Sequence, residues 1–165
     1  MTAGRLILDD GELSYDRRGD GPPVVLLHAG GLGGVTWDRQ FTLLAHDHTV
    51  IRYDARGHGG SSPVTGPFAH HEDLKELLDG LGLDRVTLVG LSLGARTAID
   101  FALLHPDRVV VGDRDSSDIH AVADLVRESA PRAEEVVVEG AGHLVNLDRP
   151  DEFDRALLRF LRASR

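Results

Sequence analysis

The sequence predicts an α/β protein: a three-layer sandwich whose mostly parallel sheet of about seven strands carries an antiparallel hairpin at its N-terminus. Short apolar, β-branched runs recur without polar alternation, as strands buried on both faces of a parallel sheet require. Segments of helical length, apolar at helical spacing, lie between them. Strand alternating with helix then implies βαβ crossovers and a sheet covered on both sides.

Each element has its own signal. Arg5 to Leu8 and Glu12 to Tyr15 flank Asp9-Asp10-Gly11, a turn sequence that closes a hairpin. Val24 to Leu27 and Thr49 to Tyr53 are the next strands, with a helix carrying Trp37 and Phe41 between them. Leu74, Leu77, Leu78 and Leu81 form one helical stripe before the strand Val86 to Val89. Ile99, Ala102 and Leu103 belong to a second stripe, and Val109 to Val111 form a strand. Ile119, Val122, Leu125 and Val126 make a third stripe before the strand Val136 to Val138. Phe153, Ala156, Leu157, Phe160 and Leu161 form a last amphipathic helix after Pro150, a residue suited to a first helical turn. No repeat or linker interrupts this order, so one domain over residues 1–165 is expected.

Composition narrows the function. The 165 residues carry 18 basic and 27 acidic side chains, a net charge of −9, and no cysteine. Disulfides, thiolate chemistry and cysteine-based zinc sites are therefore excluded. The acidic balance argues against a nucleic-acid partner, which needs a basic stripe. No apolar run reaches the roughly 20 residues of a membrane span, and the N-terminus shows no signal-peptide core. A cytoplasmic protein with no membrane partner is the expectation.

Gly90-Leu91-Ser92-Leu93-Gly94 follows a strand and precedes a helix. This is the G-x-S-x-G nucleophile elbow in the context it requires. A serine on so tight a turn takes a strained backbone conformation, and the flanking glycines let neighbouring chain pass without Cβ clashes. Its hydroxyl needs a base and an orienting carboxylate, which in this type of fold follow in the order Ser, Asp, His. Nine histidines compete for the base. His143, in Gly140-Ala141-Gly142-His143 after the last strand, lies at the correct end of the sheet. His46 and His48 flank a helix end, His105 precedes Pro106 as a terminator, and His70 and His71 open a helix. For the acid, Asp115 stands clear of the strand end, unlike Asp113, while Asp118 suits a helix cap.

With these residues the chain resembles the α/β-hydrolase family, particularly its small bacterial esterases, enol-lactone hydrolases and cofactor-free perhydrolases. The resemblance rests also on His28-Ala29-Gly30-Gly31, Tyr53-Asp54-Ala55-Arg56-Gly57-His58-Gly59, His105-Pro106-Asp107-Arg108-Val109, Gly112 to Asp115 and Gly140 to Val145. It implies Ser92 as nucleophile, His143 as base and Asp115 as acid. The oxyanion hole it implies uses the backbone N–H groups of Leu93 and Gly30. Family members usually have His-Gly where this chain has His28-Ala29. Asp54, Arg56 and His58 most often hold the loop beside the site. The dehalogenase and epoxide-hydrolase branches use Asp at the position of Ser92, whereas serine forms an acyl-enzyme. A small carboxylic ester is thus the expected substrate, with neither metal nor organic cofactor required.

The chain also departs from the family, whose members usually run well over 200 residues. Between the elbow helix and the acid they normally have a strand, a helical cap, and a further helix and strand. Here His105 and Asp115 are ten positions apart, which leaves room for one strand and no cap domain. Losing one strand brings the histidine loop nearer by about 4.8 Å. The resemblance thus implies a minimal domain with a shallow, weakly selective site. Trp37 and Phe41 are candidates for its rim, and Pro63 to Phe68 for a partial lid. A second copy covering the bare mouth would make a homodimer. The contrasting reading is a hydrolase-like scaffold or binding module with little turnover.

Overall fold

The structure, a computed structural model, describes residues 1–105, 109–112, 136 and 138–163. The chain divides into two compact units, Met1–Val111 and Gly112–Arg165.

The first unit is built on a six-stranded sheet of order β1-β2-β4-β3-β5-β6. Strands β1 (Thr2–Leu8) and β2 (Gly11–Arg18) form the expected hairpin, with Leu8 opposite Gly11 across a two-residue turn. β2 pairs antiparallel with β4 (Thr49–Tyr53), and β4 pairs parallel with β3 (Pro23–Leu27). β3 in turn pairs parallel with β5 (Val86–Gly90), placing Leu27 opposite Gly90. β6 (Val109–Gly112) lies beside β5. Six strands among the described residues replace the seven expected. The difference falls at Val136 to Val138, where Val136 and Val138 lie outside any strand and Val137 lies outside the described residues.

Helices α1 (Asp38–Leu44), α2 (His70–Gly80) and α3 (Leu93–Leu104) complete this unit, with a 3-10 turn over Gly34–Trp37 leading into α1. Strand residues alternate between faces, and in β3, β4 and β5 both faces are largely buried. Val25, Leu27, Ile51, Tyr53 and Leu88 join Leu74, Leu77, Leu78, Ala98 and Phe101 in one core cluster. Arg52, on the opposite face of β4, lies over the Phe41 ring at 4.5 Å from its centroid. Its guanidinium also pairs with Asp16 at 2.9 Å and with Asp38. A charge in a central strand is thus satisfied by two carboxylates and an aromatic face.

The stripe on α3 differs from expectation. Ala95, Ala98 and Phe101 are buried, whereas Leu103 is 70% exposed. This helix is apolar on more than one side, so spacing alone did not select its inner face. In the second unit, α4 (Val145–Asp148) and α5 (Pro150–Ala163) pack together. Leu157 and Leu161 are buried, and Pro150 occupies the first position of α5 as expected. The stripe from Ile119 to Val126 lies outside the described residues. Among the described residues, no helix is long and apolar enough to cross a membrane.

Candidate active site

The turn between β5 and α3 is fixed by backbone packing. Leu91 is buried and donates its N–H to the Leu27 carbonyl at 3.1 Å. Gly94 donates to the Leu91 carbonyl at 2.9 Å, and Arg96 donates to the Ser92 carbonyl at 2.9 Å, opening the helix. Between them Ser92 is held at φ 50°, ψ −111°, the one non-glycine residue with positive φ among the described residues. Such a conformation costs about 1–3 kcal/mol and persists only when its surroundings impose it. They do so here through the two glycines. A Cβ on Gly90 would stand 2.5 Å from the Ala95 nitrogen, and one on Gly94 would drive into the Leu27 carbonyl. Ser92 itself remains half-buried at the apex. Leu93 begins α3, where first-turn N–H groups lack partners within the helix.

The loop after β3 faces this turn. A Cβ on Gly30 would lie 3.7 Å from the Leu93 Cβ, so Gly30 and Leu93 are neighbours across the carboxyl ends of β3 and β5. His28, only 2% exposed, accepts the Ala55 N–H at Nε2 (2.9 Å) and holds the Ala29 carbonyl at Nδ1 (2.8 Å). An Nε2 that accepts from a backbone donor leaves Nδ1 to carry the proton. His28 is therefore neutral in this arrangement, and burial, the largest influence, pushes its pKa down.

The turn after β4 is cross-linked to everything around it, as the resemblance implied for Asp54, Arg56 and His58. Asp54 accepts the N–H groups of Gly34 at 2.7 Å and Gly60 at 2.8 Å. Arg56 makes a buried bidentate pair with Asp73 at 3.0 and 2.8 Å, which raises the guanidinium pKa. His58 accepts the Gly31 N–H at Nε2, 3.0 Å away. Sequence reasoning anticipated that these residues hold a loop, but not the partners they use. Only the register of β3 against β4 brings residues 27 positions apart into contact.

His143 belongs to the second unit, where it is exposed on a bend just before α4. Its loop is held by nearby side chains. Gly142 donates to the Asp148 carboxylate at 2.8 Å, and Arg149 Nε donates to the Gly140 carbonyl at 3.3 Å. Gly140 adopts φ 70°, a conformation available to glycine at little cost. Asp115, together with Asp113 and Asp118, lies outside the described residues. The structure thus brings Gly30, Ser92 and Leu93 together in the first unit and presents His143 in the second.

Trp37 and Phe41 do not form a rim. They are 0% and 3% exposed, and Phe41 is covered by Arg52. Large aromatic surfaces on a helix facing the sheet gain more from burial than from solvent contact. Among the described residues, no three or more His, Cys, Asp or Glu side chains are grouped to hold a metal ion.

Comparison with known proteins gives this arrangement a lineage. The family model described as the alpha/beta hydrolase fold matches residues 22–110. The chain is 37% identical over 116 residues to fluoroacetate dehalogenase from Burkholderia sp., covering 64% of this chain and 38% of that protein. It is 32% identical over 110 residues to 2-hydroxy-6-oxo-6-phenylhexa-2,4-dienoate hydrolase from Comamonas testosteroni, covering 62% and 38%. Among solved structures, a thermophilic esterase from Thermogutta terrifontis superposes with a TM-score of 0.79 at 20% identity, over 99% of both chains. The enol-lactonase from Burkholderia xenovorans LB400 gives 0.78 at 20% identity, over 96% of this chain and 100% of that one. These structural likenesses speak to the fold. The chain therefore spans little more than a third of the curated relatives named here, and it belongs to the family of the alpha/beta hydrolase fold.

Proposed function

We propose that this chain is a serine hydrolase that cleaves small carboxylic esters through an acyl-enzyme. The observation that carries this reading is Ser92, a half-buried hydroxyl on a backbone held at φ 50° by two sterically required glycines. Strain of this kind is a reason to look for function at the residue that bears it.

In the proposed cycle His143 removes the Ser92 proton, and the alkoxide attacks the ester carbonyl. The N–H groups of Leu93 and Gly30 stabilise the oxyanion, and the proximity of the two residues supports their pairing. His143 then protonates the leaving alcohol, and water repeats the sequence to release the acid. Asp115 fixes the imidazole tautomer and stabilises the imidazolium.

Serine also selects among the chemistries of the relatives. Displacement at a saturated carbon by a serine alkoxide would leave an ether, which water does not cleave. A carboxylate nucleophile leaves an ester, which it does. Acyl transfer is accordingly the chemistry Ser92 can turn over, and the enol-lactonase and esterase neighbours are compatible with it. The scaffold reading draws on the ten positions from His105 to Asp115.

A fluorophosphonate probe and an activated acetate ester, applied to the wild type and Ser92→Ala, separate the two. Labelling at Ser92 and turnover abolished in Ser92→Ala are expected. Absence of labelling, or turnover unchanged by the substitution, would favour the scaffold.

A further inference from the structure

We propose that His58 is a positioning residue for the loop that carries the Gly30 donor, and that it holds this loop only as the neutral imidazole. This deepens the serine-hydrolase reading and rests on it for the meaning of Gly30.

The loop after β3 offers three successive N–H groups near the elbow. The Leu32 N–H goes to the Ala29 carbonyl at 3.3 Å, and the Gly31 N–H goes to His58 Nε2 at 3.0 Å. Two of the three are thereby committed away from a substrate, and Gly30 is the residue that adjoins Leu93. Gly31 sits at φ 74°, so the peptides on either side of it can reorient with little steric resistance. The bond to His58 restrains the Gly30–Gly31 peptide, as the Leu32 to Ala29 bond restrains the one after it.

His58 accepts that bond in one protonation state only. Its Nδ1 lies 3.1 Å from the Arg56 carbonyl, an acceptor, so Nδ1 carries the proton and Nε2 presents its lone pair to Gly31. A proton added at Nε2 would set donor against donor and free Gly31. His28 repeats the arrangement one loop turn away, accepting Ala55 at Nε2 and donating to Ala29 from Nδ1. The two rings meet edge to face with centroids 5.0 Å apart, and together they tie the 28–31 segment to the turn after β4 at both ends. Around them stand His70, Arg56, Asp54 and Asp73. Burial lowers the pKa of His28 and of His70, and the neighbouring imidazoles act on both in the same direction.

The test uses the full chain. Imidazole nitrogen NMR should show His58 as the Nδ1–H tautomer at neutral pH. Amide exchange at Gly31 should be faster in His58→Phe than in the wild type. His58→Phe, which cannot accept, should lower the fluorophosphonate labelling rate by about ten- to a hundredfold, the scale expected when a donor is misplaced by an ångström. His58→Gln supplies a non-titrating acceptor at similar reach. It should recover most of that loss. An Nε2–H tautomer in the wild type, or a His58→Phe variant with wild-type labelling rate, would overturn the proposal. If His58→Phe does not fold, the wild-type tautomer and the labelling rate of His58→Gln decide it. Wild type unlabelled at every pH would sink the hydrolase reading instead, while the tautomer and Gly31 exchange still decide whether His58 holds the loop.

Discussion

The Ser92 turn and the His143 loop are built on opposite plans. In the first unit, Ser92 is fixed by contacts between distant parts of the chain. Gly94 packs onto the Leu27 carbonyl, Leu91 bonds to Leu27, and Gly30 lies against Leu93. In the second unit, the His143 loop is held by Asp148 and Arg149, no more than nine residues along the chain from the groups they bind. The comparison teaches where precision is stored. A strained residue requires the whole sheet to hold it, whereas an exposed imidazole needs only a local clasp. Damage to the first plan should therefore unfold the unit, and damage to the second should loosen one loop.

Gly94→Ala tests this most severely. Its Cβ has no space beside the Leu27 backbone, and we expect a loss of about 3 kcal/mol or more in urea denaturation, at the upper end of overpacking costs. Gly30→Ala is its control. The nearest side-chain atom is 3.7 Å from the added Cβ, so stability should stay within about 0.5 kcal/mol of the wild type.

A smaller effect, opposite in sign, is expected at the apex. Ser92→Gly relieves the positive φ but gives the unfolded chain more freedom. The net should be a gain of about 1 kcal/mol, read by denaturation, together with loss of covalent labelling. No gain would mean that the strain at the elbow does not exceed the entropy cost of the added glycine.

Asp148→Ala removes the acceptor of the Gly142 N–H on an exposed loop. Global stability should fall by less than about 1 kcal/mol, while amide exchange at Gly142 accelerates. A loss as large as that of Gly94→Ala would erase the distinction between the two plans.

The mildest perturbation is pH, and it should act on the first unit. Burial lowers the pKa of His28 and His70 below the ordinary value of 6.5. As pH falls through that value the unfolded chain takes up protons first, so the contribution to stability is whole above about 6.5 and diminishes below it. Urea midpoints at about pH 7.5 and about pH 5.5 should fall in that order. His28→Gln should flatten the difference.

Much of this is legible in the sequence. The hairpin at Asp9-Asp10-Gly11, the buried strands β3, β4 and β5 and the elbow all follow from local pattern, because turn chemistry and side-chain period act over a few residues. The α3 stripe is not, since a helix apolar on several sides gives no direction to Leu103 or Phe101. Trp37 and Phe41 were misjudged for a related reason. An aromatic residue beside a site reads the same whether it lines the mouth or fills the core, and only the position of α1 against β4 and Arg52 put Phe41 inside.

The sequence by itself determined the alternation of strand and helix and the glycines that let Ser92 be strained. Those are properties of neighbours along the chain. The tertiary structure decided which backbone donors near the elbow are already committed and which histidines commit them. Gly31 meets His58, and Ala55 meets His28, because the parallel register of β3 and β4 sets the ends of two distant strands side by side.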